Sequence, residues 1–149
     1  MVVDISLDKF PDVEDLLMAY LGLLGLVEPE NIDTVVPADG VAGIEVARIG
    51  GIDDGITDYP LVEVSCYAED RNTVKNMSEA VRQALQNDVI RSAPVEYTDD
   101  DGFRWVVQVD RCDTDTPPEN IGYKNPERRR RQAFYRLALR RPRTPPRKD

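Results

Sequence analysis

From Val62 to Tyr67 the chain alternates apolar and polar residues, and the pattern changes at Glu69-Asp70. Val62, Val64 and Cys66 fall on one side of an extended chain, with Glu63, Ser65 and Tyr67 on the other. Pro60 has no N–H and suits the start of a strand running from Tyr59 to Ala68. Past Asp70 the apolar period lengthens to about 3.6. Val74, Met77, Ala80, Val81, Ala84 and Leu85 make one helical stripe, and Asp70 or Asn72 is placed to cap its start. The prediction is a strand, a tight corner and an amphipathic helix, with the rest of the chain arranged around them.

The flanking segments repeat both patterns. Val13, Leu16, Leu17, Tyr20, Leu21 and Leu24 predict an earlier helix, entered through Phe10-Pro11-Asp12 and stopped at Gly22 or Gly25. Its first-turn acids, Glu14 and Asp15, complement the positive end of the helix dipole. Residues 1–8 read as an arm or short strand. Val27 to Gly43 reads as a connection that holds at most the strand Thr34-Val-Val36. Gly43 to Ile49 predicts a strand ended by Gly50-Gly51, before an acidic loop from Ile52 to Asp58. Asn87 to Pro94 reads as a connector. Val95–Thr98 and Phe103–Arg111 flank Asp99-Asp-Asp-Gly102, a hairpin signal with glycine where positive φ is needed. Trp105 alternates with Phe103, Val107 and Val109 and reads as core. Thr114 to Pro126 reads as a long loop, and Gln132 to Arg140 as a closing strand ahead of Pro142.

This order predicts an α+β fold: a small mixed or antiparallel sheet with two helices packed on one face, extended loops and a basic C-terminal arm. One domain is expected over residues 1–141, with 142–149 a disordered basic tail. The 149 residues suffice for one real core. No apolar run reaches the roughly 20 residues that span a bilayer, so no membrane partner is expected. The first residues lack a secretory pattern, which points to synthesis in the cytosol.

Charge sharpens the picture. Residues 1–123 carry 8 basic and 26 acidic side chains, a balance of −18; residues 124–149 carry 11 and 2, a balance of +9; the whole is −9. So acidic a body repels free nucleic acid, while a basic arm finds an acidic partner or a neighbouring copy. Catalytic chemistry finds little purchase, because the chain has no histidine. Ser65 has no partner base, and no carboxylate pair sits in an apolar setting. Gly50-Gly-Ile-Asp-Asp-Gly55 lacks the Lys-Ser/Thr of a phosphate loop. Asp53, Asp54 and Asp58 do not have calcium-loop spacing. Cys66 and Cys112 read as buried free thiols. Neither an enzyme nor a cofactor or metal site is expected.

Three segments then carry a resemblance: Asp58-Tyr-Pro-Leu-Val-Glu-Val-Ser-Cys-Tyr-Ala-Glu-Asp-Arg-Asn-Thr-Val74, Glu79-Ala-Val-Arg-Gln-Ala-Leu85, and Tyr123-Lys-Asn-Pro-Glu-Arg-Arg-Arg-Arg-Gln-Ala-Phe-Tyr-Arg-Leu-Ala-Leu139. They resemble tail terminator proteins of long-tailed, siphovirus-type bacteriophages, those of actinobacterial phages in particular. The likeness spans about residues 10–141 and is one of order, length and strand character. It implies a homo-hexameric ring on the last layer of the tail tube. Such a ring ends tube polymerisation and offers the surface on which the filled head docks. The implied partners are further copies of the chain, the major tail tube protein and the head-tail connector proteins of the neck, with DNA passing through the bore unbound. The implied location is the head-tail junction of the virion, after assembly in the host cytoplasm.

The resemblance transfers no individual site residues. Charge nominates them instead. Arg128, Arg129, Arg130, Arg131, Arg136 and Arg140 are expected to meet carboxylates of an adjacent subunit or of the tube, with Asp53, Asp54 and Asp58 among the acidic candidates. The loops Val27–Gly43, Gly50–Asp58 and Thr114–Pro126 are the candidate tube contacts. Three other readings stand beside this one. One is a neck or head-completion protein. Another is a nucleic-acid-binding module in which Arg128–Arg131, with Phe134 and Tyr135, stack on bases. The third is a generic protein-interaction domain unrelated to phages.

Overall fold

In the computed structural model, residues 9–122 and 129–148 are described. The elements run α1 (Val13–Gly22), a 3₁₀ turn (Pro29–Asn31), β1 (Ile32–Asp33), β2 (Gly43–Asp53), β3 (Thr57–Ala68), α2 (Arg71–Ala84), α3 (Asn87–Ile90), β4 (Val95–Thr98), β5 (Phe103–Val107), β6 (Val109–Ile121), β7 (Arg129–Arg140) and β8 (Arg147–Lys148). Five strands form one sheet in the order β1-β2-β3-β7-β6, and β4-β5-β8 form a second. Among the described residues only β1 and β2 pair in parallel; the remaining ladders are antiparallel. This is the expected α+β fold, with α1 and α2 on one face of the larger sheet.

The central strand-helix unit forms as its pattern dictates. Val62, Val64 and Cys66 are buried, and so are Val74, Met77, Val81 and Leu85 of the helix that returns over them. Asp70 caps α2, its side chain accepting the Thr73 N–H at 3.0 Å. Asp12 does the same for α1 by accepting from Asp15 N. Val13, Leu16, Leu17 and Leu21 fill the space between α1, β2 and β4. Each such burial contributes about 1.5–3 kcal/mol. Trp105 is 1 % exposed, stacked on Tyr97 with ring centroids 5.8 Å apart. Its indole N–H donates to Asp99 of the β4–β5 turn.

Several boundaries differ from expectation, each for a local reason. Gly50-Gly51 does not end β2. A bulge between Arg48 and Gly50 lets the strand continue to Asp53 and makes Gly50–Asp58 a hairpin. Gly51 takes φ +107°, where a Cβ would collide with the Tyr59 carbonyl oxygen. The short strand in the Val27–Gly43 connection is Ile32–Asp33 rather than Thr34–Val36, because Ile32 is the residue that reaches the core. The connector after α2 contains the single turn α3. Phe103–Arg111 is not one strand. It divides at Gln108, whose side-chain amide donates to the Arg91 and Val109 carbonyls, and the chain passes from the small sheet to the large one.

The loop expected from Thr114 is instead the continuation of β6 to Ile121. Pro117 and Pro118 are accommodated because β6 is an edge strand and its register skips between Thr116 and Glu119. β7 forms as the closing strand and begins earlier, at Arg129. The expected disordered tail is described as far as Lys148, with Arg147 and Lys148 paired to Arg104 and Phe103. The arm at 1–8, the segment Tyr123–Pro126 and Arg128 lie outside the described residues.

Candidate functional site

The surface falls into two unlike regions at the end of the sheet where β2 turns into β3. The first is a groove of about 460 Å³ on the helix side. Three segments far apart in sequence meet there: the entry and first turn of α1, the β2–β3 hairpin and the β4–β5 turn. Their carboxylates are Asp12, Glu14, Asp15, Asp53, Asp58, Asp99, Asp100 and Asp101, with Arg48 and Lys9 as the lining cations. The Arg48 guanidinium grips the buried Asp58 carboxylate with two bonds, at 2.7 and 2.9 Å. Glu14 accepts the Arg48 backbone N–H. Lys9 lies over the Trp105 ring at 5.7 Å. These contacts leave most of the negative charge uncompensated. Burial, together with Asp12, Asp100, Asp99 and Glu14, therefore pushes the Asp15 carboxyl up to about 6.

The hairpin that walls this groove is stiffly built. Asp54 accepts from the backbone N–H of Ile56 and Thr57, and these bonds hold its carboxyl below the usual range. Asp53 accepts from Gly55 N. Arg141 donates to the Gly55 carbonyl and lies 4.1 Å over the Phe10 ring, tying the hairpin to the entry of α1. Ile52 and Ile56 nevertheless stand 74 % and 71 % exposed.

The second region is the helix-free face of the large sheet. Away from the hairpin most of its polar groups pair with one another, though the buried Arg130 Nε is left without a hydrogen-bond partner. Arg130 donates to Glu63 at 2.7 Å and lies over the Tyr67 ring, while Tyr67 donates to Glu45 and Gln132 to Glu63. Towards the hairpin the network ends, and Leu61, Phe134 and Arg136 share the face.

The nominated arginines thus separate into classes. Arg130 is spent on Glu63. Arg131 points to the helix side, donates to the Pro118 carbonyl and lies 3.7 Å from Glu79. Arg140 makes a two-pronged bond to Asp110. Arg129 and Arg136 are exposed and have no ion-pair partner among the described residues. Arg128 lies outside them. Of the nominated acids, Asp53 and Asp54 serve the hairpin turn, and Asp58 serves Arg48. Sequence reasoning missed the groove, because nothing local brings residues 9–15 to 99–101. The run Asp99-Asp-Asp101 was its one visible sign.

Among the described residues no cluster of His, Cys, Asp or Glu is placed to hold a metal ion. Cys66 and Cys112 are buried and unpaired, and burial pushes both thiols up to about 12, far from reactive thiolates. This surface offers complementary charge and apolar area, the means by which proteins assemble.

No curated protein matches the chain. Among solved structures, a chain from the virion of a native gene transfer agent particle shares the fold with a TM-score of 0.50 at 14 % identity, over 80 % of this chain and 84 % of that one. Residues 9–146 match the family described as phage tail termination protein. The chain belongs to that family, a structural one that serves tail completion rather than catalysis.

Proposed function

We propose that this protein acts as a homo-hexameric ring that caps the tail tube, ends its polymerisation and presents the surface on which the head docks. The family match over residues 9–146 carries this reading. Its partners are then the major tail tube protein on one side and the neck proteins on the other. The protein sits at the head-tail junction after assembly in the host cytoplasm. A siphovirus-type phage of an actinobacterial host is the proposed source.

Six copies of a −9 chain make a strongly negative ring. An acidic bore repels phosphates, so DNA passes without adhering. The exposed arginines Arg129 and Arg136, with Arg128, are proposed to lie at an inter-subunit or tube interface. Arg130, Arg131 and Arg140 are largely occupied within the chain, which disfavours a nucleic-acid-binding role for the cluster. The folded unit is proposed to be residues 1–141, with 142–149 an appended tail that β5 holds.

Electron micrographs of tails assembled without the protein test the reading. Overlong tubes are expected. Normal-length tails joined to heads would refute it.

A further inference from the structure

The two faces at the hairpin end of the sheet are chemically opposite. On the helix-free face the ladder places Ile52 opposite Tyr59, and Leu61 opposite both Gly50 and Arg136. Pro60 and Val62 are buried on the other face, so alternation turns Tyr59 and Leu61 away from it, and Ile52, Phe134 and Arg136 with them. The result is an apolar stripe beside an unpaired guanidinium, covered by neither α1 nor α2. Ile52 is 74 % exposed while Tyr59, Leu61 and Phe134 are half-buried, and apolar area left partly open in this way suits a contact surface. The hydrogen-bonded network around Glu63 and Arg130 confines it to this end.

On the helix side of the same end lies the acidic groove. Asp100 and Asp101 are exposed at its rim and, among the described residues, have no side-chain partner. The groove would gain from a cation supplied from outside. The helix-free face carries one, Arg136, which forms no ion pair among the described residues, since Asp113, opposite it on β6, is engaged by Arg111.

We propose that these surfaces bind each other between copies: the helix-free face around Arg136 of one chain docks on the groove of the next, with Arg136 reaching Asp100 and Asp101. This deepens the ring reading above and rests on it for closure. Each copy offers both surfaces on opposite faces, so the contact is head-to-tail and repeats from copy to copy. The opposite charges set register and encounter rate. Ile52, Leu61 and Phe134 supply the apolar area, whose removal from water drives association.

Single-cysteine variants of the full chain test the contact. Arg136→Cys and Asp101→Cys both replace exposed residues, and the native thiols are buried. Treated with a short bis-maleimide, a mixture of the two should yield a covalent dimer, and the double variant a ladder; each variant alone should yield neither. The experiment is run on purified protein and on isolated tails. No product from the mixture in either setting would overturn the proposal. So would dimers of Arg136→Cys alone, which mean a two-fold contact, or its cross-linking to the tube subunit instead. Arg136→Glu should weaken self-association about tenfold or more, and Asp101→Arg in the same chain should restore it; failure to restore also counts against the pairing. Overlong tails in the protein's absence, combined with no cross-link, would leave the termination role standing and remove this interface alone.

Discussion

Asp15 offers the sharpest quantitative test, because it reports on the acidic groove in the isolated chain. Its carboxyl titrates at about 6 instead of 3.8, pushed first by burial and then by Asp12, Asp100, Asp99 and Glu14. A folded-state value above the unfolded one means that the folded chain binds the proton more tightly. The protonated form therefore contributes stability below about pH 4, and that contribution is lost as pH rises through 6. Above 6 the charged Asp15 is a liability. Complete shielding would make the liability about 3 kcal/mol, but Asp15 is only partly buried and solvent screening leaves about 1 kcal/mol. The dipole of α1 favours the charge by about 0.3–1 kcal/mol and reduces the gain further. Asp15→Asn is thus expected to stabilise the protein by about 0.5 kcal/mol at pH 7.5 and to lose that advantage between pH 6 and 4.5. Urea unfolding of both chains at several pH values measures the difference, with the other carboxylates cancelling. A gap that stays constant from pH 4.5 to 8, or a variant less stable than the parent at pH 7.5, would refute the electrostatic account of the groove.

Other expectations rest on packing and geometry. Leu17→Ala removes a fully buried side chain and should cost about 2–5 kcal/mol by denaturant unfolding. Gly51→Ala places a Cβ against the Tyr59 carbonyl oxygen at φ +107° and should cost more than about 1 kcal/mol; an unchanged midpoint would show that the bulge yields freely. Arg48→Met strands the buried Asp58 carboxylate. Because Arg48 itself is 36 % exposed, the loss should be about 2 kcal/mol, below that of a fully buried pair, and Asp58→Asn on that background should recover part of it. Asp99→Ala removes the acceptor for Asp101 N, Phe103 N and the Trp105 indole, and should cost about 1–3 kcal/mol with a shift in tryptophan fluorescence.

Elements with their own periodicity were legible in the sequence. α2 announces itself through Val74, Met77 and Val81 and a capping Asp70, and β3 through Val62, Val64 and Cys66. The Asp99–Gly102 turn was equally clear, since acidic residues followed by glycine fit only a few backbone shapes. What stayed hidden depends on partners distant in the chain. β6 carries two prolines and little alternation, and it is a strand because β7 offers a ladder along its length. The break at Gln108 comes from the chain changing sheets, which no local pattern records. The arginine cluster was visible, but its division into Arg130, Arg131 and Arg140, which bond within the chain, and Arg129 and Arg136, which do not, follows from the register of β7. The groove escaped for the same reason: its carboxylates come from three segments that only folding unites.

The prolines of β6 have a consequence for growth. Polymers of sheet-bearing subunits extend most readily when a newcomer can lay a strand along an open margin. Here β6 carries two adjacent prolines, Pro117 and Pro118, which have no amide hydrogens, and the Cys112 amide is already engaged by Asn87. An arriving strand would find gaps where it needs donors, so this border of the subunit is blunt, a fitting property for the cap proposed above.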